Sequence, residues 1–449
     1  MIILALVGVC AVAGASLPFL SEKLSLALIG VPPAIVLGVV ILRNPLYGVY
    51  AYFLYSTLRP YDFIPALIPL RLTMVIQLLT LIAWVIALVN GKKKLRWSVM
   101  HTLFALLVGV IGVTVMTAVN NFLAFREFQI MLGYLVMCVI AVDLVDSPRR
   151  LKKLVWMLLL IHAYFAIRGI WTFVTGSFMG VGGYTSGVVG GGSMSDENDF
   201  AMAINMMIPF CLFALTILKG HLRLISGALL LLFVMAVVAS FSRGGLVGLG
   251  AIVLFALLVS KRKLLATGMT LVMLLAMVLF APSSYWKEAE SITDVHESTA
   301  NARLEYWQAG IRMFIDYPII GVGADNGQIQ MPKFFRGGGG RDPNTQWGRT
   351  FHGTWPQVLA ELGLLGVLPY FGMMFLAFRY LFRIRRESLG EQNPTELFLA
   401  NSLIGSLIAY IGCATFLSTA YYPQLWTTYT LVMILVLCRQ RVGETPLPA

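Results

Sequence analysis

The feature that most constrains this chain is a succession of apolar runs, each near the length that crosses a bilayer. They fall near 2–20, 24–42, 45–58, 72–90, 99–119, 128–146, 153–175, 199–218, 222–240, 244–260, 264–281, 355–381, 396–419 and 422–438. About 20 apolar residues in a helix span the hydrocarbon core. Without water there, the backbone must satisfy itself within helices or a closed barrel. Barrel strands of alternating polarity are absent, so the sequence predicts an all-α polytopic membrane protein. The run at 45–58 is short, which makes 12–14 transmembrane helices the expected range.

Composition agrees. Hydrophobic residues make up 58% of the chain and charged residues 12%, with mean hydropathy +0.82. Soluble domains carry roughly 25% charged residues, so a water-soluble globule is excluded. Five cysteines (Cys10, Cys138, Cys211, Cys413, Cys438) lie inside apolar runs without ligand or disulfide spacing and are read as small core residues. Met1 to Leu20 has no basic leader and is followed by a second apolar run, which predicts a retained first helix.

The net charge of +12 does not point to nucleic acid, because Lys and Arg gather at the ends of the runs. One set of alternate connections holds twenty of them, among them Lys92–Lys94, Arg149, Arg150, Lys261–Lys263, Arg379–Arg386 and Arg439. The opposite set holds five outside one long loop. By the positive-inside rule both termini are cytoplasmic and the long loop faces outward. The expected division is 1–281, an N-terminal transmembrane bundle; 282–354, the outward loop carrying part of an active site; and 355–449, the C-terminal helices.

That loop alone has soluble-like composition. Within it 301–315 has helical spacing, with Leu304, Trp307, Ile311 and Phe314 on one face. A second outward loop, 176–199, ends in Asp196-Glu197-Asn198-Asp199. Long outward loops of this kind commonly carry function.

Candidate chemistry gathers on this outward side. His352 stands where the apolar helix after the long loop begins, and imidazole takes a proton near neutral pH. It is either a general base or a helix-start histidine without a task. Arg243 sits in a short connection between spans, Arg303 in the loop helix and Arg168 inside a span, where charge is costly unless paired or snorkelling. Guanidinium grips phosphate oxygens bidentately, so the three fit an anionic ligand such as a lipid diphosphate. Snorkelling, or pairing with Asp199 or Glu305, explains any one of them as well. The 196–199 acids offer oxygen ligands for a divalent metal at loose spacing. No zinc motif, phosphate-binding loop or dinucleotide fingerprint is present.

Three local patterns resemble the bacterial O-antigen ligase and O-antigen polymerase family of membrane glycosyltransferases. They are Ser242-Arg243-Gly244 between two spans; Asn301-Ala302-Arg303-Leu304 with Trp307, followed by Pro318-Ile319-Ile320-Gly321-Val322-Gly323; and His352 ahead of Glu361-Leu362-Gly363-Leu364-Leu365-Gly366. Asn198-Asp199-Phe200-Ala201 is similar to an upstream asparagine motif, and Leu58-Arg59-Pro60-Tyr61-Asp62-Phe63 to a feature of some ligase-like members. One departure is Gly353, where the family usually has Asn after the histidine.

The resemblance implies a GT-C-like enzyme of the bacterial inner membrane, working on the periplasmic side without metal or cofactor and with inversion. Its donor would be a glycan on undecaprenyl diphosphate, as in lipopolysaccharide biosynthesis. Its acceptor would be a hydroxyl of lipid A–core or of protein Ser/Thr. His352 would be the catalytic base and Arg243 and Arg303 would hold the diphosphate, with Arg168 a further candidate and Asn198 and Arg59 in supporting places. A polymerase, whose acceptor is another lipid-linked glycan, would use the same site. From other classes, a lipid-linked oligosaccharide flippase would keep ionisable residues along a path through the bundle. A metal-dependent transferase would use Asp62 or the 196–199 acids.

Overall fold

A computed structural model describes residues 22–175, 196–259, 298–337 and 342–444. The expected spans at 2–20 and 264–281, Cys10 and most of the 176–199 loop lie outside the described residues. Every regular element among those described is helical. In chain order they are α1 (Glu22–Arg43), α2 (Pro45–Leu58), α3 (Leu72–Val89), α4 (Val99–Thr117), α5 (Asn121–Leu144), α6 (Pro148–Val174) and α7 (Glu197–Ala214). There follow α8 (Gly220–Ala239), α9 (Arg243–Val259), α10 (Ser298–Asp316), α11 (Gly327–Phe334), α12 (Thr354–Gly390), α13 (Pro394–Ala414) and α14 (Pro423–Glu444). Seven helical stretches are long and apolar enough to cross a membrane, and Pro33–Arg43 and Arg243–Val259 are shorter apolar ones. The chain is an all-α polytopic membrane protein.

Helix starts follow capping chemistry rather than the edges of the apolar runs. Asn120 accepts from the Leu123 amide at 3.2 Å, so α5 begins seven residues ahead of the run at 128. Ser147 caps α6 with Pro148 at its first position, ahead of the run at 153. α12 continues past 381 to Gly390, because its arginines are good helix formers and carry the helix out of the apolar layer.

α7 packs against α13 and α8, α9 against α13, and α4 against α5 and α12, enclosing one core. Phe104 stacks on Trp426 with centroids 4.7 Å apart. A smaller core joins Tyr306, Ala309 and Met313 of α10 to Val322, Met331, Phe351 and Ala360. The buried face of α10 is therefore not the stripe read from the sequence: Leu304 and Ile311 are exposed. At a membrane boundary an apolar face has lipid as well as protein to meet, so hydrophobic spacing alone does not say which side is packed.

Candidate active site

The loop is fastened to α12 by its backbone. Gly363, at φ +55°, breaks α12 into two segments. The break frees the carbonyls of Ala360 and Glu361, which accept from Val322 N at 2.9 Å and Gly323 N at 3.0 Å. The displaced amides of Leu364 and Leu365 donate to Pro318 O at 2.8 Å and Ile319 O at 3.1 Å. These four backbone groups thus find their partners in the 318–323 turn. Gly321, at φ +78°, is held so closely that a Cβ there would lie 2.4 Å from the Glu361 carbonyl carbon, and one on Gly363 would lie 2.6 Å from that of Ile319. Two stretches of the family resemblance are thus two halves of one clasp.

The clasp and the small core set α10 beside the chain segment that carries His352. Trp307 Nε1 donates to the His352 carbonyl oxygen at 3.3 Å, and the Tyr306 ring lies 6.0 Å from the imidazole. His352 itself takes φ +48°, a left-handed conformation that turns the chain into α12. Gly353 accounts for the space: a Cβ there would approach Trp307 Nε1 to 2.7 Å. The indole therefore stands where the side chain of an Asn would begin.

Burial pushes the His352 imidazole below its ordinary value of 6.5, and the guanidiniums of Arg303 and Arg349 push the same way, while Asp196 opposes them. His352, Arg303 and Asp196 are thus brought within electrostatic reach of one another. Thr354 belongs to other partners: its hydroxyl donates to Leu417 O at 2.6 Å and pairs with Thr419.

The Ser-Arg-Gly element starts α9. Ser242 Oγ accepts from the Gly245 amide at 2.9 Å as an N-cap, and donates to Asn198 Oδ1 at 2.7 Å. Arg243 follows at the first helical position, where the positive end of the helix dipole favours an anion. Asp196 caps α7 through the amides of Asn198 and Asp199. This couples the two helix starts through Asn198. Asp199, buried in the next position, accepts from Tyr422 at 3.0 Å.

Arg168 and Arg59 each have a partner of their own. The Arg168 guanidinium rests 4.9 Å from the centre of the Phe63 ring and bonds Tyr164, a seat that satisfies it locally. Arg59 pairs with Asp62 at 2.9 Å, and it lines a cavity of about 320 Å³ together with Arg126, Glu127, Asp325, Glu361 and Tyr421. None of those five figured among the residues to which the sequence reading gave a role. Their only local signals are charges at the outer start of an apolar run (Arg126, Glu127) and one acid inside another (Glu361). Among the described residues no group of three or more His, Cys, Asp or Glu is gathered as a metal site needs.

Residues 228–371 match the profile of the O-antigen ligase family. The chain carries an O-antigen ligase domain. No curated protein matches it significantly. The matched segment holds Arg243, Arg303, His352 and both halves of the clasp, and leaves Arg59, Arg168 and Asn198 outside. The domain is one found in membrane glycosyltransferases of the ligase or polymerase type, and the match covers about a third of the chain.

Proposed function

We propose that the protein transfers a glycan from undecaprenyl diphosphate to an acceptor hydroxyl on the periplasmic side of the bacterial inner membrane. The transfer inverts the anomeric centre and uses no metal. The reading is supported by Arg303 lying within electrostatic reach of His352, on a helix tied to it by the Trp307 bond, and by the Asn198–Ser242 bond that leads into Arg243.

In this reading His352 accepts the acceptor's hydroxyl proton as the oxygen attacks the anomeric carbon. The bond from that carbon to the diphosphate oxygen breaks, and the electron pair leaves with the diphosphate. Arg243 and Arg303 meet the negative charge that develops there, with the α9 N-terminus adding its dipole. A base held with a depressed proton affinity stays neutral, hence competent, at the pH of the compartment. The acceptor is a hydroxyl of lipid A–core, of protein Ser/Thr or of another lipid-linked glycan.

The test is transfer from purified undecaprenyl-diphosphate glycan by the protein in nanodiscs, with EDTA present. His352→Ala is expected to lower the rate by about 10²- to 10⁴-fold. His221→Ala, at an exposed site on the start of α8, is expected to be unchanged. Near-normal transfer by His352→Ala would remove the proposal.

A further inference from the structure

The cavity that Arg59 lines lies between the outer ends of α5 and α12, the start of α11 and the α13–α14 connection. Its wall mixes both charges, and each guanidinium is already engaged. Arg126 is shared between Glu127 at 3.3 Å and Asp325 at 3.0 Å, and Arg59 is held by Asp62. Glu361 adds a third carboxyl to the wall, itself buried and fixed by Tyr421 at 2.8 Å. A diphosphate only accepts hydrogen bonds, and here each guanidinium it would seek already faces an acid. A polyol both donates and accepts at every hydroxyl, which is what such a wall supplies.

Two further observations point to a ligand. Ser418 lines the cavity, and its hydroxyl oxygen is buried without a hydrogen-bond partner. Buried hydroxyls are rarely left so, and one at a cavity wall is satisfied by what fills the cavity. The hydroxyls of Tyr421 and Tyr422 are tied to Glu361 and Asp199, which holds both aromatic side chains in the wall. Polar groups of both kinds beside aromatic faces suit a sugar ring, with its hydroxyl rim and C–H face. The volume, about 320 Å³, is at the low end for small-molecule sites. It suits a ring rather than a chain.

We infer that this cavity is a subsite for one neutral sugar ring of the transferred or accepting glycan, and that it rejects uronic sugars. The inference rests on the reading of the protein as a glycan transferase. The link is short: Thr350 of the wall is two residues from His352, and Tyr422 of the wall bonds the residue next to Asn198. To be answered, a uronate carboxylate would have to take Arg126 from Asp325 and Glu127, or Arg59 from Asp62.

The experiment is saturation-transfer NMR on the full chain in nanodiscs. The probes are methyl hexosides, methyl 6-deoxyhexosides and methyl N-acetylhexosaminides, beside glucuronic and galacturonic acids. At least one neutral probe is expected to bind and the acids are not. Ser418→Ala breaks no bond within the protein, so it should fold as before and weaken that probe by about 2- to 10-fold, the worth of one hydrogen bond. Asp325→Asn with Glu127→Gln should admit the uronates. In the transfer assay Ser418→Ala should raise KM with kcat kept. A rise for the donor alone assigns the ring to the donor glycan, and a rise for the acceptor alone assigns it to the acceptor. Absence of binding by every neutral probe, equal binding of the acids, or an unchanged Ser418→Ala would overturn the subsite. If a neutral probe binds as expected but the protein transfers no glycan, the functional reading fails while the subsite stands.

Discussion

The indole Nε1 of Trp307 donates to the His352 carbonyl at 3.3 Å, across the space that Gly353 leaves open. The pair ties α10, which carries Arg303, to the residue proposed as base. It also explains why a side chain is missing from position 353: indole and Cβ compete for one volume.

Gly353→Asn is therefore expected to impair the protein, although Asn is the residue the family resemblance would put there. The new Cβ displaces Trp307 and shifts the His352 backbone. Misplacement on the order of an ångström near a reacting centre costs up to about 100-fold in rate. Initial rates of transfer check this, with thermal melting run beside them to separate displacement from unfolding.

The pH profile follows from the surroundings of His352. Burial, Arg303 and Arg349 hold the imidazole below 6.5, so the acid limb of kcat/KM should lie below pH 6.5. Arg349→Gln removes a cation, eases protonation and should move that limb up; Asp196→Asn should move it down. Stability has the same sense: as pH falls through 6.5 the unfolded chain binds the proton first, so the folded state loses ground. A limb indifferent to both substitutions would point to a different base.

Arg243→Lys and Arg303→Lys keep charge but lose the planar fork, and both are expected to turn over more slowly than the parent. The alanine variants should lose about 10- to 150-fold, the equivalent of one charge-assisted hydrogen bond. Normal rates from folded alanine variants would move the diphosphate elsewhere.

The clasp makes a prediction about stability. Gly321→Ala and Gly363→Ala force a Cβ into left-handed backbone and into a neighbouring main chain, and should each cost about 2–4 kcal/mol. Gly109→Ala, with open space around it, should change little. Melting temperatures in detergent compare them directly.

Orientation is open to cysteine labelling, because the four described native cysteines are buried. An impermeant maleimide should label Asn344→Cys in intact spheroplasts and Lys92→Cys only after lysis. The reverse pattern would invert the topology and the function with it.

The helices were legible because a bilayer demands long apolar runs, and 72–90 or 99–119 read almost as Leu72–Val89 and Val99–Thr117. Arg243, Arg303 and His352 stand out in the sequence as polar groups on an apolar chain. The Glu361–Tyr421 bond, the Arg126–Asp325 pair and the buried face of α10 do not. The first two join residues 60 and 199 positions apart, and no local period records such a meeting. The third depends on which side of the helix meets lipid.

The bonds between 318–323 and the break in α12 run between main-chain groups alone. Such a contact counts residues and is blind to most letters. Ile319, Ile320 and Val322 can exchange among apolar residues without loosening it. One residue inserted or deleted between Pro318 and Gly323 slides each carbonyl out of step with its donor. A search keyed to spacing, with two glycines as its only fixed characters, would find this segment in chains where a search keyed to side chains passes over it.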